Sequence, residues 1–252
     1  MKITITDISE SDLGTQIAIM NVDNPTKITK IKQGNGLWTI IGEFPDDSDT
    51  IDNVPMVDEI SPTSVFAMKF ASIAQDQHTK FHLLVESNPI LCKQIEKYWT
   101  DLNFGFSSCT TVPWSAVFVS WCVKQAGATS SEFKFSPRHS EFVHQAIQNA
   151  INNTGVFQGY DITTHAPNVG DIVQNNRGDN SCDFAFARTN KQYDSHSAIV
   201  VEIGQDATSR FAVTIGGNEG QSIVMETVPL TSQGFIKQRV NKPFISIIKN
   251  LK

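Results

Sequence analysis

The stretch TTVPWSAVFVSWCVKQAG, residues 110–127, constrains the fold more than any other part of the chain. Pro113 and Ser115 ahead of it and Gly127 behind it are the start and stop signals of a helix. The body AVFVSWCVKQA is apolar on nearly every side. A surface helix needs only one apolar stripe. A helix that is apolar all round must be covered all round, so the chain has to supply other elements that enclose it.

The chain is long enough to do so. Its 252 residues fit one core of about 150–200 residues plus an appendage. A hydrophobic share of 40% against 18% charged belongs to a folded globular chain rather than a disordered one. The net charge of −6, with no run of five lysines and arginines, offers nothing to nucleic-acid phosphates or anionic lipid, so no nucleic-acid partner is expected. No apolar run approaches the roughly 20 residues of a membrane span, and MKITITDISESDLG lacks the apolar centre of a classical signal peptide. The expectation is a protein made in the cytoplasm whose action outside it requires another delivery route. Cys92, Cys109, Cys122 and Cys182 form no Cys-x-x-Cys pair and have no regular spacing to histidine. No metal or cofactor is therefore expected, and the four cysteines read as free packing thiols.

Two regions differ in pattern. In residues 1–60, KITITDI, TQIAIMNV and GLWTIIGEF alternate or are bounded by glycine, which predicts a small β-rich segment. The acidic, proline-containing PDDSDTIDNVPMVDEISP reads as a linker or surface loop. Residues 61–252 begin with helical patterns: SPTSVFAMKFASIAQDQHTKF, with Val65, Met68 and Ile73 on an apolar face, NPILCKQIEKYWTDL, with Asn88 at its start, the helix of Ser115, and SPRHSEFVHQAIQNAINNTG. After Pro167 come the β-branched runs GDIVQ, HSAIVVEIG, RFAVTIGGN, GQSIVMETVPL and FISIIKN. Helices first and a meander of strands afterwards predicts an α+β domain with helices packed on an antiparallel sheet.

Ser115 at a buried helix start has two readings. Serine is a favoured N-cap. A small nucleophile beside the unpaired N–H groups and positive end of a helix is also placed for acyl chemistry, because those groups stabilise a developing anion. A serine hydroxyl then needs a histidine base, itself held by a polar group. Of the six histidines, only His196 opens a strong strand. On the next strand, Asn218 or Glu219 of GGNEG is placed to orient it, with a plain turn as the alternative for that segment. His139, in SPRHSEF, is a candidate for lining a cleft, and Asp171 reads as serving the turn into its strand. Arg177 and Arg188 flank a loop long enough to cover a cleft.

In this order, PWSAVFVSWCVKQAG, FSPRHSEFVHQAI, APNVGDIV, SHSAIVVEIG and TIGGNEGQSIV resemble the bacterial family DUF2272 and, more distantly, the papain-like NlpC/P60 and CHAP hydrolases. The resemblance implies a papain-like fold over about residues 62–245. It places Ser115 where those enzymes carry cysteine, within Trp114-Ser115-Ala116 where they often have Trp-Cys-Ala, and places His196 and Asn218 at the other two catalytic positions. Trp114, His139 and Glu219 are then candidates for binding substrate. The implied activity is hydrolysis of an amide in peptidoglycan peptides without a metal or other cofactor. Such an enzyme fits an antibacterial effector delivered to the periplasm by a contractile (type VI) secretion system, or a lysin, with secretion machinery and an immunity protein as further partners. The alternatives are an inactive papain-like module that binds wall peptides or a partner protein, and an esterase or lipid hydrolase.

Overall fold

The structure is a computed structural model and describes residues 2–9, 27–32, 37–43, 63–206 and 209–252. The chain divides into two compact units, residues 1–60 and 61–252.

The first unit contains an antiparallel sheet of β1 (Lys2–Ile8), β2 (Lys27–Lys32) and β3 (Trp38–Glu43), in the order β1-β3-β2. The central strand β3 carries the buried Thr39 and Ile40. β1 and β3 coincide with KITITDI and GLWTIIGEF; TQIAIMNV and the acidic linker lie outside the described residues.

The second unit is α+β. Its helices α1 (Val65–Phe81), α2 (Pro89–Asp101), α3 (Ser115–Ala126) and α4 (His139–Ile151) precede all six of its described strands. The caps follow from local chemistry. Ser64 Oγ accepts from Ala67 N at 3.1 Å, and Asn88 Oδ1 accepts from Ile90 N at 2.9 Å with Pro89 in the first turn. Gly127 ends α3 at a left-handed φ of 111°, which a side chain would resist. The buried face of α1 differs from the expected one: Phe66, Phe70, Ala74 and Phe81 point inward, whereas Val65 and Met68 are 78% and 52% exposed. The row of phenylalanines offers more apolar area to bury than Val65 and Met68, and it decides the helix's rotation.

The strands β4 (Phe157–Tyr160), β5 (Ile172–Asn176), β6 (Ser195–Gln205), β7 (Arg210–Glu219), β8 (Ser222–Leu230) and β9 (Phe244–Asn250) form one antiparallel sheet in the order β4-β9-β5-β6-β7-β8. One face packs on the helices through Ile172, Ile199, Val213 and Ile215. The other carries Val173, Val200, Ala212, Val228 and Phe244 and is covered by Ile162 and Ile236 from connecting segments. α3 lies between α1, α2 and the helix-facing side of β6 and β7, with ten of its twelve residues buried, which supplies the enclosure its sequence demands. Asp171 does more than shape a turn: it pairs with Lys249 and accepts from Asn250 N at 2.9 Å, fastening β5 to the last strand. β2, β4 and the short helix α5 (Phe184–Thr189), which occupies part of the Arg177–Arg188 loop, were not legible in the sequence pattern.

The cysteines depart from the expectation of four free thiols. Cys92 in α2 and Cys109 form a disulfide with Cα atoms 5.4 Å apart, and only Cys122 and Cys182 are free. The disulfide ties α2 to the segment that leads into α3. Its sequence separation of 17 corresponds to about 3 kcal/mol of unfolded-chain entropy. Replacing both cysteines by alanine is expected to lower unfolding stability by about that amount in urea titration. Without reductant, alkylation of the denatured chain should label two thiols, and with reductant four.

Candidate active site

Ser115 is the first residue of α3, and its hydroxyl does not cap that helix. Trp114 occupies the capping position, and its side chain makes no capping bond. Ser115 Oγ instead lies 2.7 Å from Nε2 of His139, the first residue of α4. Both side chains are buried, at 2% and 5% exposure. A clamp between the helices delivers the histidine: Ser136 N donates to Ser120 Oγ at 3.1 Å, and Ser120 Oγ donates to Ser136 O at 3.0 Å. Ser136 Oγ in turn accepts from Arg138 N at 3.0 Å and donates to Glu141 at 2.9 Å, fixing the first turn of α4.

His196, expected to be the base, sits one step away. Its ring centroid is 5.3 Å from that of His139, and its Nε2 lies 2.5 Å from Glu219 Oε1. The partner of His196 is therefore Glu219 and not Asn218. The Asn218 side chain accepts from Trp114 N at 3.3 Å and donates to Glu86 Oε2 at 2.7 Å. Glu86 Oε2 also accepts from Trp114 Nε1 at 2.9 Å. Glu86, Asn218 and Trp114 thus hold the entry to α3. Trp114 is fully buried in this arrangement rather than displayed to a ligand.

A bulge in β7 produces the exchange. Gly217 pairs with Ile223 and Glu219 with Ser222, so Asn218 is an extra residue with no partner across the ladder, and its φ is +59°. Asparagine tolerates that conformation better than most residues. The extra residue moves Glu219 beside His196 and turns Asn218 toward α3. The two preceding glycines are required by space. A Cβ on Gly217 would meet Trp114 and Phe118 at 2.7 Å, and one on Gly216 would lie 2.0 Å from Glu219 Oε1 and 2.8 Å from His196 Nε2.

Burial, then the neighbouring His196 and Arg177, hold the His139 pKa well below the ordinary 6.5. Its position at a helix N-terminus acts in the same direction. His139 is thus a neutral imidazole at neutral pH. In the tautomer that can receive the serine proton, Nε2 is bare and Nδ1 carries the hydrogen; Nδ1 is buried without a protein partner. Burial alone would raise the Glu219 pKa, but the hydrogen bond and charge of His196 outweigh it and keep the carboxyl below its usual range.

Two cavities lie beside these groups. One of about 690 Å³ opens on the sheet face away from the helices and is lined by His196, Glu219, Asn218 and Arg177 among others. A second of about 330 Å³ is lined by Glu86, the 110–113 segment, Asn218 and Arg177. They share Arg177, Asn218 and Gly220, and neither is lined by Ser115 or His139. The second therefore brings the cleft to the chain just before α3. Among the described residues no group of three or more His, Cys, Asp and Glu side chains is placed to hold a metal, and no helix is long and apolar enough to cross a membrane.

The sequence placed Ser115, His196 and the 218–219 pair in one neighbourhood. It missed the direct contact of His139 with Ser115 and the role of Glu86. For His139 the available signal was its place in the first turn of a helix; for Glu86 there was none.

Two predictions follow from this geometry. Below pH 6.5 the unfolded chain takes up a proton at residue 139 that the folded chain resists, so stability should fall as pH drops from 6.5 toward the depressed value of His139. His139→Asn should flatten that part of the stability–pH curve, measured by urea unfolding. Gly217→Ala should cost about 1–3 kcal/mol through overpacking against Trp114 and Phe118, whereas Gly216→Ala should chiefly disrupt the His196–Glu219 pair, read from their NMR titrations.

No curated protein and no solved structure matches the chain. A family model does match, over residues 91–246, which include Ser115, His139, His196 and Glu219 and more than half of the chain. The chain belongs to DUF2272, a family described as uncharacterized protein conserved in bacteria.

Proposed function

We propose that the chain is a serine hydrolase acting on an acyl bond, with peptide amides of the bacterial cell wall as its substrate class. The observation that carries the reading is the 2.7 Å contact of Ser115 Oγ with His139 Nε2 at the start of α3. His139 takes the Ser115 proton as the oxygen attacks the substrate carbonyl, and the carbonyl π electrons move onto its oxygen. The first amides of α3, which have no carbonyl one turn earlier in the helix, stabilise that oxyanion. The protonated His139 gives its proton to the leaving amine, and water then releases the acyl group through the same steps. In this scheme His139 takes the role of base that the family resemblance gives to His196. The His196–Glu219 pair sets the charge beside it and touches the open cleft.

A helix-borne nucleophile packed on an antiparallel sheet next to a strand-borne histidine supports a papain-like reading of the fold. The Cys92–Cys109 disulfide supports action in an oxidising compartment such as the periplasm. That location fits a delivered antibacterial effector, with an immunity protein as its natural counterpart, or a lysin. A second reading, a wall-peptide binding module, is favoured by one observation: Ser115 is 2% exposed and lines neither cavity.

Mass spectrometry of muropeptides after incubation with purified peptidoglycan separates the two. Fragments from the parent that fall about a thousandfold or more in rate with Ser115→Ala and His139→Asn are the expected result. Turnover that survives Ser115→Ala removes the serine mechanism. Wall binding with no fragments from the parent or from Ser115→Cys establishes the binding module instead.

A further inference from the structure

The larger cavity carries a local charge opposite to that of the whole chain. Against a net charge of −6, its wall presents Arg177, Arg239 and Lys242 and only two carboxylates, Glu219 and Glu226. Glu219 is committed to His196. Burial and the nearby Glu219 raise the Glu226 pKa, which weakens its hold on charge. Arg239 is held in place: its Nε donates to Lys242 O at 3.0 Å, its guanidinium lies 4.4 Å from the Phe244 ring centroid, and its Nη1 is 3.8 Å from Glu226. Arg177 and Lys242 are exposed and have no carboxylate within ion-pair distance among the described residues.

Arg177 also has the position a recognition residue needs. It follows directly on β5, lines both cavities, and lies close enough to His139 to lower its pKa. A guanidinium presents a planar fork of donors that matches a carboxylate, and a polar cavity wall lets such a pair form with less screening than on an open surface.

We propose that the 690 Å³ cavity is a recognition subsite for a carboxylate-bearing peptide, with the carboxylate held by Arg177 and Lys242. The peptide continues through the second cavity toward the entry of α3. The proposal deepens the hydrolase reading by naming the substrate's chemistry and takes the identity of the cleft as a peptide site from it. The cavity is large enough for several residues of extended chain.

The test is fluorescence anisotropy with the full-length Ser115→Ala protein, which holds a ligand without turning it over. The probes are an N-terminally labelled L-Ala-γ-D-Glu-L-Lys-D-Ala and the same peptide with both carboxylates amidated. The acid form is expected to bind at least about tenfold more tightly than the amidated form, and Arg177→Gln or Lys242→Gln should each remove most of that preference. Rising salt should weaken the acid form selectively. Both substitutions are on exposed side chains, and circular dichroism of each variant confirms that loss of binding is not loss of fold. Equal affinity for the two peptides, no binding of either, or a preference untouched by both substitutions overturns the subsite. A parent protein that fails to cut peptidoglycan while Ser115→Ala keeps its acid preference defeats the catalytic reading and leaves the subsite standing.

Discussion

The N-terminal turn of α3 packs closely on β7 at Gly217, next to Gly216, and the remaining parts of the site depend on these two glycines. Gly217 admits Trp114 and Phe118 to the sheet on one face, and Gly216 leaves room for the His196–Glu219 pair on the other. The bulge at Asn218 then adds one residue and lets consecutive side chains serve both sides: Asn218 reaches the helix entry and Glu219 reaches the cavity. Were β7 regular through Asn218, the two-residue period of a strand would send Glu219 back to the helix face and leave His196 without its carboxylate. A bulge beside reactive groups is a recurrent way to re-aim a side chain.

That device explains which parts of the molecule were legible in the sequence. The order of helices and strands could be read from periodicity, because burial imposes 3.6 on one half of the domain and 2 on the other. The enclosure of α3 followed from its lack of a polar face. The choice between Asn218 and Glu219 did not follow, since a bulge is set by pairing with a partner strand and leaves no mark in GGNEG beyond the glycines themselves. The position of His139 against Ser115 was only weakly signalled, by its place in the first turn of a helix. It depends on the Ser120–Ser136 clamp between two helices, a contact across 16 residues whose polar members resemble ordinary helix and turn residues. The Cys92–Cys109 bond lacked a spacing signal, because an isolated pair 17 residues apart carries no motif.

The two histidines divide the site by solvent access. His139 is buried and kept neutral, with the Ser115 hydroxyl as its partner; His196 is partly exposed and paired with a carboxylate that stays ionised. A buried neutral imidazole is pre-set to receive a proton and has little competition from water for the serine hydroxyl. Its depressed pKa makes it a weaker base, so the chemical burden shifts to groups that stabilise charge as it forms. In the proposed reaction the first amides of α3 would stand at the oxyanion side, and Glu219 beyond His196 on the imidazolium side.

For the proposed hydrolysis, serine makes this arrangement more demanding than cysteine would. A thiol ionises near neutral pH and tolerates a loosely placed base, whereas a serine hydroxyl must lose its proton as it attacks and needs the base already in contact. The 2.7 Å approach of His139 Nε2 meets that requirement in the unliganded protein, and the burial of both side chains preserves it. Burial also imposes a constraint on substrate. Ser115 is 2% exposed and lines neither cavity, so in the proposed reaction a substrate carbonyl reaches it only after neighbouring groups move; the entry segment at 110–113 and the Glu86–Asn218–Trp114 triangle border the smaller cavity. In the proposed reaction, binding energy gathered at the charged wall of the larger cavity would be available to expose Ser115, coupling recognition of the peptide's charge to the chemistry.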